Sequence, residues 1–194
     1  MIIFIKRSLL LFFWLFLVFT CHRQETVQCN IKTSLGDIAI ELYPEEAPLT
    51  VKNFLMYVDN SLYDQSSFYR VCNSENETDR EIMIEVIQGG NIPEEELFDP
   101  IPIETTKTTG LKHKDGTISM ARGKPNTAQS SFFICINDQP NLDYGGKRNP
   151  DGQGFAAFGK VIDGMETVKL IQQQKDNGQY LIEAIIIHSV KRIK

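Results

Sequence analysis

Only two stretches of this chain space their apolar residues for a helix. In "PEEAPLTVKNFLMYVDNSLYD", Val51, Phe54, Leu55 and Val58 fall at i, i+3, i+4 and i+7, one helical face, and Pro48 suits the first turn. In "DGMETVKLIQQQ", Met165, Val168 and Ile171 share a side. Most of the remaining apolar residues sit in short runs suited to strands. "VQCNIKTSLGDIAIELY" reads as a hairpin: Ile38, Ile40 and Leu42 alternate with Asp37, Ala39 and Glu41, and Leu35-Gly36-Asp37 supplies the turn. "SFYRV", "IEVIQGGN", "GTISMA", "SFFICI", "FAAFGKV" and "YLIEAIIIHSVKRI" are further strands. "CNSENETDREIM" is a polar loop, "NDQPNLDYGGKRNPDGQG" a long one, and residues 91–116, with Pro93, Pro100 and Pro102, an irregular crossing segment. The pattern predicts a mainly β chain, a barrel or sandwich with two helices as plugs, and leaves the strand order open.

The N-terminus is unlike the rest. "MIIFIKRSLLLFFWLFLVFTC" places the basic pair Lys6-Arg7 before an unbroken apolar run from Leu9 to Phe19. That run matches a signal-peptide core of roughly 7–15 residues and is short for a membrane span of about 20. Residues 1–20 are read as an export signal, 21–28 as a polar tether and 29–194 as one domain. Cys21 directly after the run suggests cleavage before it and acylation of its thiol, an envelope lipoprotein facing the periplasm or held in the outer membrane. Ordinary signal-peptidase cleavage and an uncleaved short anchor are the alternatives. Of the 194 residues, 42% are hydrophobic and 23% charged, which argues against a disordered or fibrous chain. The formal net charge is −5 and no basic run appears, so nothing supports nucleic-acid binding.

Chemistry-bearing residues are sparse. Cys21, Cys29, Cys72 and Cys135 form no CxxC or Cys/His spacing, so neither a metal nor a disulfide framework is expected. His22 falls in the tether, His113 in the turn-like "KHKDG", where it reads as solvated, and His188 within a strand. Ser130 and Ser131 sit in no nucleophile elbow, which leaves a Ser/His hydrolase poorly supported. Glu94, Glu95 and Glu96 read as a solvated face, and no glycine loop joins a strand to a helix as phosphate binding requires. What remains suits non-covalent gripping of a peptide: Arg70 on a strand, Gln88 before a double glycine, and Phe155 opening a strand. In "SFFICI", side chains alternate between faces, so Phe132 and Phe133 cannot enter the same core. One of them is available as the floor of a groove.

In order, "FYRV", "VIQGGN", "GTISMARGKPNTAQSSFFICI" and "LDYGGKRNPDGQGFAAFGKVIDGMETV" resemble a cyclophilin, a peptidyl-prolyl cis-trans isomerase, of the divergent exported bacterial branch. The resemblance runs from Val27 to Lys194. It implies a closed eight-stranded antiparallel β-barrel capped by two α-helices, with no cofactor or metal. It also implies a monomer that acts on proline-containing polypeptides and assists the folding of exported proteins. By residue, it implies that Arg70 is the catalytic arginine and that Gln88 contacts substrate backbone and helps place the arginine. Ala121, Arg122 and Gly123 would pair with substrate main chain. Phe133, Val86, Leu142 and Phe155 would wall the proline pocket, with Phe132 inside the barrel.

The chain departs from the better-known members of that family at several positions. Glu85 and Val86 replace a Phe-Met pair, which predicts a shallower or reshaped pocket. Ser131 stands where a second glutamine is usual. Asn141 replaces a tryptophan that contacts cyclosporin and Phe155 a pocket histidine, so weak cyclosporin binding is expected. The acidic segment between Val71 and Ile84 is placed to screen or reshape the groove beside Arg70. A non-catalytic proline-peptide-binding chaperone or assembly module on the same fold is the alternative reading.

Overall fold

The computed structural model describes residues 25–193; the leader and Cys21 lie outside the described residues. The two periodic segments form helices α1 (Pro48–Asp59) and α3 (Met165–Gln172), and Val51, Phe54, Leu55 and Val58 are all buried as their spacing requires. The crossing segment adds one turn of helix, α2 (Thr106–Thr109), closed by Gly110 in the left-handed region. Its four residues, Thr-Lys-Thr-Thr, carry no apolar period, which is why the sequence shows two helices and the fold three.

The strands are β1 (Val27–Thr33), β2 (Gly36–Leu42), β3 (Ser67–Cys72), β4 (Val86–Gly89), β5 (Thr117–Met120), β6 (Phe132–Cys135), β7 (Ala156–Asp163) and β9 (Tyr180–Arg192). A two-residue strand, β8 (Asp176–Asn177), pairs only with the start of β9. The order β1-β2-β7-β5-β6-β4-β3-β9 is antiparallel throughout, and pairing of β1 with β9 closes it into an eight-stranded barrel with no free edge. The first hairpin turns one residue earlier than the sequence suggests, at Ser34-Leu35, because the Thr33 hydroxyl accepts from the Leu35 N–H and donates to the Gly36 carbonyl.

The core fills the barrel. Phe54 reaches in from α1 to within 5.1–5.6 Å, centroid to centroid, of Tyr63, Phe132 and Phe158, and meets Phe132 edge-on. Val168 and Ile171 of α3 join the same core. "QGG" is fixed by packing at the end of β4. A Cβ on Gly89 would lie 2.8 Å from the Phe68 ring, and one on Gly90, at φ 81°, 2.9 Å from the Ser130 carbonyl.

Candidate active site

Cross-strand register assembles the site. Arg70 on β3 pairs with Gln88 on β4, Gln88 with Phe133 on β6, and Phe133 with Ser119 on β5. Directly opposed residues share a face, so this row lies on the outside of the barrel. The neighbouring row, Phe68, Gly89, Phe132 and Met120, points inward. A second outer row, Cys72, Val86 and Cys135, flanks the first. Phe133 thus belongs to a separate small cluster with Cys72, Ile84, Val86, Cys135 and Leu142, against which Ala121 and Phe155 pack. Burial in it pushes the Cys72 thiol up to about 12, so it packs as a small apolar group and not as a nucleophile.

This cluster lines a cavity of about 160 Å³. Arg70, Val86, Gln88, Ala121, Arg122, Phe133, Leu142 and Phe155, scattered over 86 sequence positions, all border it, together with Ile84 and Arg148. Phe155 meets Phe133 edge-on at 5.3 Å. Gly123 and Ser131 do not border this cavity; they border an adjoining, more open one of about 420 Å³ that shares Gln88, Ala121 and Arg122. The Arg122 guanidinium lies 5.3 Å from the centre of the Phe155 ring, donates to the Gly154 carbonyl, and forms a two-pronged pair with Asp151. That pair holds the Asp151 carboxyl below its usual range. Arg122 thereby ties the loop before β7 to the rim. Glu85 does not border the cavity; its carboxylate accepts from the Asn137 amide at 2.6 Å. Of the Glu85-Val86 pair, only Val86 borders the cavity.

Arg70 is held on two sides. Its Nη1 donates to Gln88 Oε1 at 2.8 Å, and its Nε and Nη2 both donate to Gln179 Oε1, at 3.0 and 2.6 Å. Gln88 in turn donates to the Tyr69 hydroxyl at 2.6 Å. A guanidinium carries five N–H groups. Three make these bonds among the described residues, which leaves a charged fork with two further N–H groups at the edge of the cavity.

His113 is not solvated. It is 1% exposed, its ring stacked 6.0 Å behind Phe133, with Nδ1 2.8 Å from Asp143 and Nε2 3.0 Å from Ser119 Oγ. Burial works against the Asp143 charge, but hydrogen bonds from the His113 ring and backbone hold its carboxyl below the usual range. The set has the residue types of a hydrolytic triad, yet Ser119 is 0% exposed and covered, so no scissile carbonyl reaches it. Ser130 and Ser131 lie elsewhere: Ser130 Oγ donates to the Gly90 carbonyl, and Ser131 Oγ lies 3.4 Å from the Tyr69 hydroxyl. The triad types instead form a hydrogen-bonded backing for Phe133.

The profile of the family described as cyclophilin type peptidyl-prolyl cis-trans isomerase/CLD matches residues 28–192, and the chain belongs to that family. It is a peptidyl-prolyl cis-trans isomerase of the cyclophilin class. A peptidyl-prolyl cis-trans isomerase of Acinetobacter baylyi is 36% identical over 158 residues, covering 80% of this chain and 77% of that protein. Peptidyl-prolyl cis-trans isomerase B of Escherichia coli is 35% identical over 143 residues, covering 72% and 80%. The crystal structure of a cyclophilin type isomerase of Cryptosporidium parvum superposes with a TM-score of 0.71 at 26% identity, covering 88% of this chain and 99% of that one. A second structure of that protein was determined in the presence of the dipeptide Ala-Pro.

Sequence reasoning missed Tyr69, Glu77, Arg148 and Gln179, which touch the site only through the folded chain. Glu77 and Arg148, for example, are 71 positions apart. The one local signal lay at "DNGQY", where a glutamine occupies a turn position that favours glycine or asparagine.

Proposed function

We propose that Arg70 accelerates rotation about X–Pro bonds by stabilising the twisted peptide, with the proline ring seated in the Phe133 cavity. Rotation about a peptide bond faces a barrier of about 18–20 kcal/mol, because it breaks conjugation between the nitrogen and the carbonyl. X–Pro bonds populate both isomers and exchange over tens of seconds or longer. Twisting localises the lone pair on the prolyl nitrogen, and an N–H aimed there stabilises the twisted state more than either planar isomer. Arg70 is suited to supply that N–H. Its planar guanidinium fork is held by Gln88 and Gln179 at the border of the cavity. No nucleophile or proton transfer is needed. Each 1.36 kcal/mol of selective stabilisation gives about tenfold in rate.

The observation that carries the reading is the border shared by Arg70 and the cavity walled by Phe133, Val86, Leu142 and Phe155. Its volume of about 160 Å³ suits one small ring rather than a large side chain. The adjoining cavity beside Ala121, Arg122 and Gly123 then takes the chain leading to the proline. The Ala-Pro dipeptide used with the Cryptosporidium parvum relative agrees with a proline-containing ligand of this kind.

The apolar leader before Cys21 supports a second element of the reading, in which the enzyme is exported, tethered to the bacterial envelope by an acylated Cys21, and assists folding of other exported proteins. The test of the folding role is refolding of a protein whose slow phase is X–Pro isomerisation. The full chain accelerates that phase and the Arg70→Ala variant does not. Equal acceleration by both would contradict the role given to Arg70, and none by either would contradict the folding role.

A further inference from the structure

The acidic segment between Val71 and Ile84 contributes one fully buried carboxylate, and it reaches the catalytic arginine through a single intermediary. Glu77 is 1% exposed. Its two oxygens accept from Arg148 Nη1 and Nη2, each at 2.6 Å, and Oε2 also accepts from the Ile84 N–H at 3.0 Å. Oε1 accepts a further bond from Gln179 Nε2 at 2.9 Å, and the other end of that amide, Oε1, receives Arg70 Nε and Nη2. The chain Arg148–Glu77–Gln179–Arg70–Gln88–Tyr69 is thus unbroken. Electrostatics fixes the amide orientation: its oxygen faces a cation and its nitrogen a carboxylate, and a flip would oppose both.

The backbone at Gln179 points the same way independently. The β8–β9 hairpin has a two-residue loop, Gly178-Gln179, and both residues have positive φ, 61° and 79°. Such turns favour glycine and asparagine, and a long side chain rarely adopts this conformation. Turn chemistry alone therefore does not account for glutamine. Its length does, because it spans from the turn to both Arg70 and Glu77. An amide has a further consequence: a carboxylate placed directly on Arg70 would neutralise the charge that acts on the twisted bond. Here the carboxylate is paired with Arg148 instead, and only a dipole touches Arg70.

We propose that Gln179, held in place by Glu77, is a positioning residue that fixes the plane of the Arg70 guanidinium over the proline cavity. The inference rests on the role given to Arg70 above. Without Gln179, Arg70 keeps among the described residues only the bond to Gln88, and its plane is free to turn. The cavity walls are untouched, so substrate is seated as before and the loss falls on kcat.

Gln179→Asn tests this, since asparagine suits a left-handed turn but is one methylene too short to span both partners. Isomerisation of cis Ala-Xaa-Pro-Phe peptides is measured with the full chain as wild type, Gln179→Asn, Arg70→Ala and the double variant. The expected result is a fall of about tenfold in kcat with KM within about twofold, and a cooperative melt shifted down by a few degrees at most, since a bond to a charged partner is lost. Gln179→Asn then has no further effect in the Arg70→Ala background. A second readout is the Arg70 Nε–H signal in a proton–nitrogen correlation spectrum, sharp and slowly exchanging in wild type and broadened in Gln179→Asn. Wild-type kcat in Gln179→Asn, an equal fall in both backgrounds, or an unchanged Nε–H signal would each overturn the proposal. Full activity in Arg70→Ala would instead remove the role of Arg70 itself, whatever Gln179→Asn does.

Discussion

Phe132 and Phe133 are adjacent in the chain and belong to different cores. Phe132 stands edge-on to Phe54, Tyr63 and Phe68 inside the barrel, while Phe133 lies between the buried His113 ring and Phe155 on the outer face. The pleat of β6 allows nothing else. Phe132→Ala is expected to cost about 3–5 kcal/mol of stability, the range for a large ring removed from a packed core. Phe133→Ala enlarges an existing cavity and is expected to cost roughly half as much, while lowering kcat/KM by about tenfold or more. Urea unfolding and peptide isomerisation on both variants check this, and the reverse ordering of stability losses would contradict it.

Gln88 bridges Arg70 and Tyr69. Gln88→Ala frees one side of the guanidinium, and a fall of about tenfold in kcat/KM is expected, since hydrogen bonds to charged groups contribute about 1.5–3 kcal/mol. Tyr69→Phe keeps the Arg70 contact and removes only the Gln88 partner, so its loss is smaller. Steady-state kinetics on the two variants orders them.

The barrel's strands and both long helices were legible because period two and period 3.6 are local properties. The strand order was not, since pairing β7 with β2 and β5 joins residues far apart in sequence. The family resemblance supplied the closed barrel where periodicity alone left barrel and sandwich open. Most of the cavity wall was legible for the same reason. His113 was misread because "KHKDG" is locally polar. Its partner Asp143 lies 30 positions away, and only the fold shows that the ring turns inward while Lys112 and Lys114 stay at the surface.

Acid should weaken the Glu77 anchor. Burial opposes its charge, but the hydrogen bonds and charge of Arg148 outweigh that and hold its carboxyl below the usual range. A depressed carboxyl adds stability that is fully present above its unfolded value, about 4.3, and is lost as pH falls through the folded one. Glu77→Gln leaves Arg148 buried without a counter-charge and is expected to cost about 3 kcal/mol at pH ~7. The gap between wild type and variant should shrink as pH falls below about 4. Thermal melts across pH measure it, and a pH-independent gap would contradict the assignment.

Ser119, His113 and Asp143 support Phe133 and carry no hydrolytic chemistry. A serine-reactive fluorophosphonate should leave Ser119 unlabelled in the folded protein, and labelling there would contradict the reading. His113→Ala removes the ring bonds to Ser119 and Asp143, although Asp143 still accepts from the backbone N–H at 113, and a loss of about 2–5 kcal/mol is expected from the unmet Ser119 hydroxyl and the lost ring.

Acylation of Cys21 predicts a mature N-terminus at that residue carrying lipid on its thiol. Mass spectrometry of the chain recovered from bacterial membranes reads this directly. An unmodified Cys21, or an intact leader, would contradict the tether.

The most direct test of the central claim is isomerisation of several Ala-Xaa-Pro-Phe peptides by the full chain beside its Arg70→Ala variant, with both shown to be folded. The account predicts clear catalysis by wild type and a fall of about a hundredfold in the variant, since a charged donor aimed at the twisted bond supplies about 2.7 kcal/mol of selective stabilisation. Equal rates for the two folded proteins would contradict it.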